Sequence, residues 1–237
     1  MSDYDRNVAA IPGAARTVAI DAGLRAHMIR VYNYMAGGVA LTGLVAYFTN
    51  QLLGPTLYNS PIMWVLIFAP LALVFFLSWR IDRLSASTAL ALFFVYAALL
   101  GASLSIIFAV YTDTSITRVF FISAAAFGGL SLWGYTTQRD LTGMGSFLMM
   151  GLIGIIIASL VNIFFTSSGL DWIISVIGVI VFAGLTAWDT QKIKEMYNVS
   201  DDGTVTSRKA VMGALSLYLD FINLFLMLLR LFGQSRN

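Results

Sequence analysis

The sequence predicts an all-α integral membrane protein with about seven transmembrane helices. Hydrophobic residues make up 59% of the 237 residues and charged residues only 11%, whereas soluble domains usually carry about 25% charged residues. The mean hydropathy of +0.83 is too high for a surface that faces only water. Several apolar runs are long enough to cross a hydrocarbon core of ~30 Å. They span residues 31–53, 62–79, 86–110, 117–137, 145–166, 172–190 and 210–232.

These runs set the domain organisation. Residues 1–30 contain four arginines and no long apolar run, which does not fit the basic start and apolar core of a signal peptide. We therefore expect a cytoplasmic N-terminal tail at 1–30, a seven-helix transmembrane domain at 31–232 and a short C-terminal tail at 233–237. The connections are short, so we expect no inserted soluble domain.

The basic residues predict the orientation, because cytoplasmic loops are enriched in Lys and Arg. Alternating spans place 11 of the 14 basic residues on one side and three on the other. The N-terminus is therefore predicted to be cytoplasmic, and seven full crossings would place the C-terminus outside. A re-entrant last segment would instead return the C-terminus to the cytoplasm. The three basic residues of the opposite side are Arg118, Arg230 and Arg236.

The residue inventory excludes several classes of chemistry. The chain has no cysteine and one histidine, His27, so thiol catalysis and thiolate or polyhistidine metal sites are not expected. The metalloprotease, phosphate-loop and nucleophile-elbow motifs are absent from the sequence. We therefore expect a protein that is not an enzyme and that needs no bound cofactor.

One acidic residue lies in the middle of an apolar run. Asp220 is ten residues inside 210–232, and a carboxylate at mid-membrane costs about 2.5–3.5 kcal/mol on insertion scales. Gly213, Ser216 and Asn223 share its helical face at intervals of three and four residues. This stripe predicts that the last helix is central in the bundle. The stripe would either line a pathway or form polar contacts between helices.

A second carboxylate could lie beside the first. Asp189 lies at the cytoplasmic end of the sixth run, and both aspartates lie in the cytoplasmic half of the membrane if the last two helices are antiparallel neighbours. Two carboxylates in a dry site cannot both ionise cheaply, so such a pair holds one proton between them. When ionised, it would offer oxygen ligands for transient contact with Ca²⁺. Arg80, at the end of the second run, is either a counter-charge for the pair or an interfacial anchor like Arg83.

Two motifs carry a family resemblance. The stretch from Ala214 through Asp220 to Phe225, followed by Arg230, closely resembles the last span of the Bax inhibitor-1 family. The sixth run, ending in Trp188, Asp189 and a basic exit, is similar to the preceding span of that family. The hydrophobic pattern matches over about residues 25–232. The chain is thereby identified as a bacterial member, with an implied bundle in which six helices surround the last.

The resemblance also implies a function. Members of the family are associated with a pH-sensitive calcium leak, and the family's paired aspartates correspond here to Asp189 and Asp220. The family's arginine latch corresponds to Arg80. Gly213, Ser216 and Asn223 would line the pathway. The implied partners are the lipid bilayer of the bacterial cytoplasmic (inner) membrane, Ca²⁺ and protons, and a membrane-bound ATP-dependent protease that a bacterial relative modulates; nucleic acid is not among them.

Three other functions remain alternatives at this point. The chain could be a membrane regulator that transports nothing and binds a protease, or a proton-coupled antiporter that uses the same carboxylates. It could also be an intramembrane aspartyl protease, which places one aspartate on each of two spans. Leu219 stands before Asp220 where those proteases have glycine, and no proline follows Pro70, so proteolysis is disfavoured.

Overall fold

The computed structural model of the chain describes residues 12–236, except for the side chains of 12–21, Pro55 and Asp82. The described part is all-α, with one 3₁₀ turn at Ile81–Arg83 and an isolated bridge between Tyr111 and Ser235. The helices are α1 Pro12–Leu57, α2 Ile62–Arg80, α3 Ala86–Leu104, the short α4 Ile107–Val110, α5 Asp113–Thr136, α6 Thr142–Phe165, α7 Ser168–Glu195 and α8 Gly203–Phe232.

Within the described residues, length and composition allow six helical segments to cross a membrane, namely α2, the α3–α4 segment at 86–110, α5, α6, α7 and α8. The remaining long helix, α1, is not one of these six. Its apolar run is interrupted by Tyr32, Asn33 and Tyr34 near the start and by Asn50 and Gln51 near the end, which lower its hydropathy. With α1 the bundle has seven long helices, so the predicted fold class is confirmed.

Helix α8 is the central helix, as predicted. It packs against α1, α3, α5 and α7, and 72% of its apolar window is buried, compared with 17% for α2 and 11% for α6. The implied ring of six neighbours is wrong, because α2 packs on α3 and α6 packs on α7. These two peripheral helices have mean hydropathies of 2.3 and 2.5, among the highest in the bundle, so they are suited to contact lipid directly.

The outer surface carries large apolar side chains. Phe164 on α6 is 84% exposed and Trp79 on α2 is 82% exposed. Trp64, Trp133 and Trp172 are also exposed near helix ends, where an indole can place its ring in hydrocarbon and its N–H near water. A surface of this composition is suited to contact the hydrocarbon of a bilayer rather than water.

Helices α1 and α8 begin well before the apolar runs predict, whereas α5, α6 and α7 begin only three or four residues early. The face formed by Leu24, His27, Met28 and Val31 extends α1 into the predicted tail and packs into the bundle, with His27 and Met28 buried. Helix α8 begins at Gly203 because the side chain of Asp202 accepts a hydrogen bond of 2.7 Å from the backbone N–H of Val205. The connection between α7 and α8 is correspondingly shorter than the predicted 191–209.

Helix α8 runs from one end of the bundle to the other. Near its start, Arg30 of α1 donates a hydrogen bond of 3.2 Å to Ser207. Near the end of α8, Arg230 lies 3.6 Å from Asp171 at the start of α7. Just after α8, Arg236 lies 3.1 Å from Asp113 at the start of α5. The helix is unbroken over 30 residues, about 45 Å at the usual rise. This length is enough for a full crossing and favours one over a re-entrant segment.

Candidate functional site

The site lies where α7 and α8 pack closely as antiparallel neighbours. A side chain at Gly178 would place its Cβ 2.7 Å from the sulfur of Met227, and one at Gly213 would place it 3.0 Å from Ile193. Both glycines therefore allow the helices to approach. Gly213, which the sequence placed on a polar stripe, lies against an apolar side chain in this structure.

The structure brings Asp189 and Asp220 together. Asp220 is only 5% exposed, and Asp189 is partly buried. Their carboxyl groups lie within hydrogen-bonding reach of each other. An ionised carboxylate only accepts hydrogen bonds, so a bond between two carboxyl groups requires a proton on one of them. The second oxygen of Asp220, Oδ2, is buried and has no hydrogen-bond partner within the described residues.

A cation that acts on Asp189 lies on α7 itself. Lys192 follows Asp189 by three residues and exerts an attractive charge on that carboxylate. Its ammonium group also lies 4.9 Å from the ring centroid of Trp188. The lysine is exposed, so it places positive charge at the outer edge of the site.

Arg80 lies over an aromatic ring instead. Its guanidinium carbon is 5.9 Å from the centroid of the neighbouring Trp79 ring. Arg80 is not among the charges that act on Asp189 or Asp220. The arginine is at the end of α2, a helix that packs on α3 rather than on α8. A latch between Arg80 and the aspartates therefore stays a prediction for another conformation.

The other members of the stripe have separate surroundings. Ser216 and Asn223 are both partly buried. The side-chain amide of Asn223 donates a hydrogen bond of 2.8 Å to the backbone carbonyl of Leu219, one turn earlier in α8. This bond satisfies one amide N–H inside its own helix and does not require a partner on another helix.

A hydroxyl network beside the pair was not predicted from the sequence. The hydroxyls of Tyr32 and Ser131 are hydrogen-bonded at 2.7 Å, and Ser131 is bonded to Thr190 at 2.9 Å. These contacts join α1, α5 and α7 at the residue that follows Asp189. Ser131 is an isolated polar side chain in an apolar run, and Tyr32 and Thr190 lie at the ends of such runs among other polar residues, so no periodicity marked the three as a group.

A second unpredicted polar contact fixes the other side of α8. The hydroxyls of Thr42 and Tyr218 are bonded at 2.6 Å, and Thr42 also donates to the carbonyl of Ala97 at 2.9 Å. Tyr218 is fully buried and makes edge contacts with the rings of Phe93 and Tyr96. These bonds hold α1, α3 and α8 in register two residues before Asp220.

Comparison with known proteins decides the family. The family model described as inhibitor of apoptosis-promoting Bax1 matches residues 24–237. The chain belongs to the Bax inhibitor-1 family. The match includes both aspartates and every described helix apart from the first residues of α1.

Relatives of this family member share most of their length with it. The inner membrane protein YbhL of Escherichia coli K12 is 49% identical over 220 residues, covering 91% of this chain and 94% of YbhL. The protein RP147 of Rickettsia prowazekii is 46% identical over the full length of both chains. The membrane protein SpyM3_0260 of Streptococcus pyogenes is 40% identical, covering 91% and 95%. Together with the apolar helices, these names make this Bax inhibitor-1 family member a multi-pass protein of the bacterial cytoplasmic membrane.

Proposed function

We propose that this chain is a passive, pH-gated calcium leak whose gate is the pair Asp189 and Asp220. The observation that carries the proposal is the contact of two carboxyl groups at the interface of the central helix, with one of them almost completely buried. An intramembrane carboxylate is costly and normally serves transport or proton transfer. A pair at a helix interface is therefore suited to couple proton binding to helix packing.

Loss of the shared proton supplies the gating force. With one proton, the carboxyl groups hydrogen-bond and hold α7 against α8. Without it, two negative charges face each other in a medium of low dielectric constant, where repulsion is several times stronger than in water. The helices can then separate near Asp189, and Lys192 or Arg80 can supply counter-charge to the exposed carboxylates.

The same carboxylates suit a passing calcium ion. Two ionised carboxylates present up to four oxygens, whereas Ca²⁺ takes six to eight oxygen ligands. The described residues contain no cluster of three or more His, Cys, Asp or Glu side chains, so water or backbone carbonyls must complete the shell. A weak site of this kind binds the ion briefly and releases it, as a leak requires.

The proposal is tested by Ca²⁺ entry into dye-loaded proteoliposomes over pH 5–8. We expect Asp220→Asn and Asp189→Asn to abolish the flux or its pH dependence, because an asparagine neither ionises nor shares a proton. Asp171→Asn is the matched control, since Asp171 is a half-exposed carboxylate on the same helix as Asp189 and lies at the opposite end of that helix. Equal flux and equal pH profiles in all three variants and the unmodified protein would exclude the pair as the gate.

The alternatives predict different outcomes in the same assay. An antiporter moves Ca²⁺ faster when a pH gradient is imposed, whereas a leak follows the calcium gradient alone. A regulator of a membrane-bound protease gives no flux in folded protein and co-purifies with that protease. An intramembrane protease cleaves transmembrane peptides and loses this activity in either asparagine variant.

A further inference from the structure

A lateral cavity opens between α1 and α5, and neither of the paired aspartates lines it. It has a volume of about 500 Å³ and opens to the side of the bundle. We call it the α1–α5 cavity and define it by six of its lining residues, Arg25, Tyr32, Phe127, Gly128, Ser131 and Tyr135.

The cavity is cationic at one end and apolar at the other. Arg25 is exposed at the end where most basic residues lie. Beside Tyr135, the ammonium of Lys194 lies 5.3 Å from the ring centroid and donates a hydrogen bond of 2.9 Å to the backbone carbonyl. Towards the middle of the bundle, Phe127 meets Phe221 of α8 at 5.6 Å between ring centroids. An occupant must therefore have an anionic head and an apolar tail.

The polar groups inside the cavity do not need a ligand. The hydroxyls of Tyr32 and Ser131 are bonded to each other, and Ser131 is also bonded to Thr190. With these hydroxyls satisfied, the remaining wall is aromatic and aliphatic. An acyl chain can contact this wall without leaving a buried polar group unpaired.

Glycines keep the space open. A Cβ built at Gly128 meets no atom within 4 Å, and the same is true at Gly43. Gly43 lines a second cavity of about 200 Å³ that lies further along α1 and α5, above Phe221 and Phe225. The two cavities follow one another along the same pair of helices, in the direction that a lipid tail takes from the membrane surface.

We propose that the α1–α5 cavity binds one anionic phospholipid. The phosphate lies at Arg25, the charged residue of the cavity lining, and an acyl chain lies in the cavity beside Phe127. Basic pockets between transmembrane helices on the cytoplasmic side are suited to anionic headgroups. The proposal does not depend on the calcium leak, because neither Asp189 nor Asp220 lines the cavity.

The test is native mass spectrometry of the full-length protein titrated with phosphatidylglycerol or with phosphatidylcholine of the same acyl chains. We expect one retained phosphatidylglycerol and weaker retention of phosphatidylcholine. Gly128→Leu fills the cavity and should weaken phosphatidylglycerol binding about tenfold or more, the equivalent of at least 1.4 kcal/mol. Gly129→Leu is the matched control, because its neighbourhood is equally open but it does not line the cavity.

A second pair of variants tests the headgroup. Arg25→Gln should remove the preference for phosphatidylglycerol, while Arg118→Gln, at the opposite end of the bundle, should keep it. A thermal melt of each variant verifies folding. Equal binding by Gly128→Leu and Gly129→Leu, or equal retention of both lipids by the unmodified protein, would overturn the proposal.

Discussion

At the residue scale, His27 is buried in the bundle although the sequence predicted a polar tail around it. The sequence assigns it to a polar tail, yet it is 2% exposed and neither ring nitrogen has a hydrogen-bond partner within the described residues. Its ring lies 5.7 Å from that of Tyr197. Burial, followed by the positive charges of Arg30 and Lys209, lowers the pKa of His27, which the carboxylate of Asp201 only partly offsets.

This environment predicts a loss of stability in mild acid. The lowered pKa means that the unfolded chain binds the proton more readily than the folded one, so stability is complete above about pH 6.5 and falls as the pH drops towards the lowered value. His27→Phe keeps the ring contact and removes the titration. We expect its melting temperature to fall less than that of the unmodified protein between pH 7.5 and 5.5. An equal fall in melting temperature for His27→Phe and the unmodified protein over this pH range would contradict this assignment.

At the element scale, glycines decide which helices touch. A Cβ at Gly134 of α5 would collide with the backbone carbonyl of Ala187 in α7, and one at Gly101 of α3 would lie 2.6 Å from the carbonyl oxygen of Thr42 in α1. Backbone atoms cannot move aside as a flexible side chain can. These contacts follow the general pattern of small residues between transmembrane helices.

Gly134→Ala should therefore destabilise the bundle. Overpacking of this kind typically costs about 1–3 kcal/mol, and here it would separate α5 from the helix that carries Asp189. Gly129→Ala is the control, since its Cβ meets no atom within 4 Å and alanine favours a helix over glycine by up to about 1 kcal/mol. Thermal melts in detergent should show a lower melting temperature for Gly134→Ala only. A melting temperature for Gly134→Ala equal to that of Gly129→Ala would contradict the close contact.

The helices themselves were largely predictable, because long apolar runs are a strong signal. The stripe around Asp220 also predicted a central last helix, since only a buried helix can hide a carboxylate from lipid. The peripheral positions of α2 and α6 and the bonds of Ser131 and Thr190 depend on which helices become neighbours. That choice is made by packing between distant segments, which a single sequence does not display.

At the scale of the whole molecule, the topology predicts opposite locations for the two ends of α8. The chain has no cysteine, so one engineered cysteine reports accessibility directly. We expect Ser200→Cys, in the exposed connection before α8, to be labelled by a membrane-impermeant thiol reagent only from the cytoplasm. Thr114→Cys, exposed at the opposite end of the bundle, should be labelled only from outside. Labelling of both from one side would contradict seven crossings.

The function proposed for the paired aspartates is a passive calcium flux controlled by pH. Its most direct test is the initial rate of Ca²⁺ entry through the unmodified protein in proteoliposomes, with the same pH on both sides, measured at steps between pH 5 and 8. A leak gated by the paired aspartates gives a rate that follows the calcium gradient and changes with pH although no proton gradient is present. A rate that stays constant over this range, or that requires a proton gradient, would contradict it.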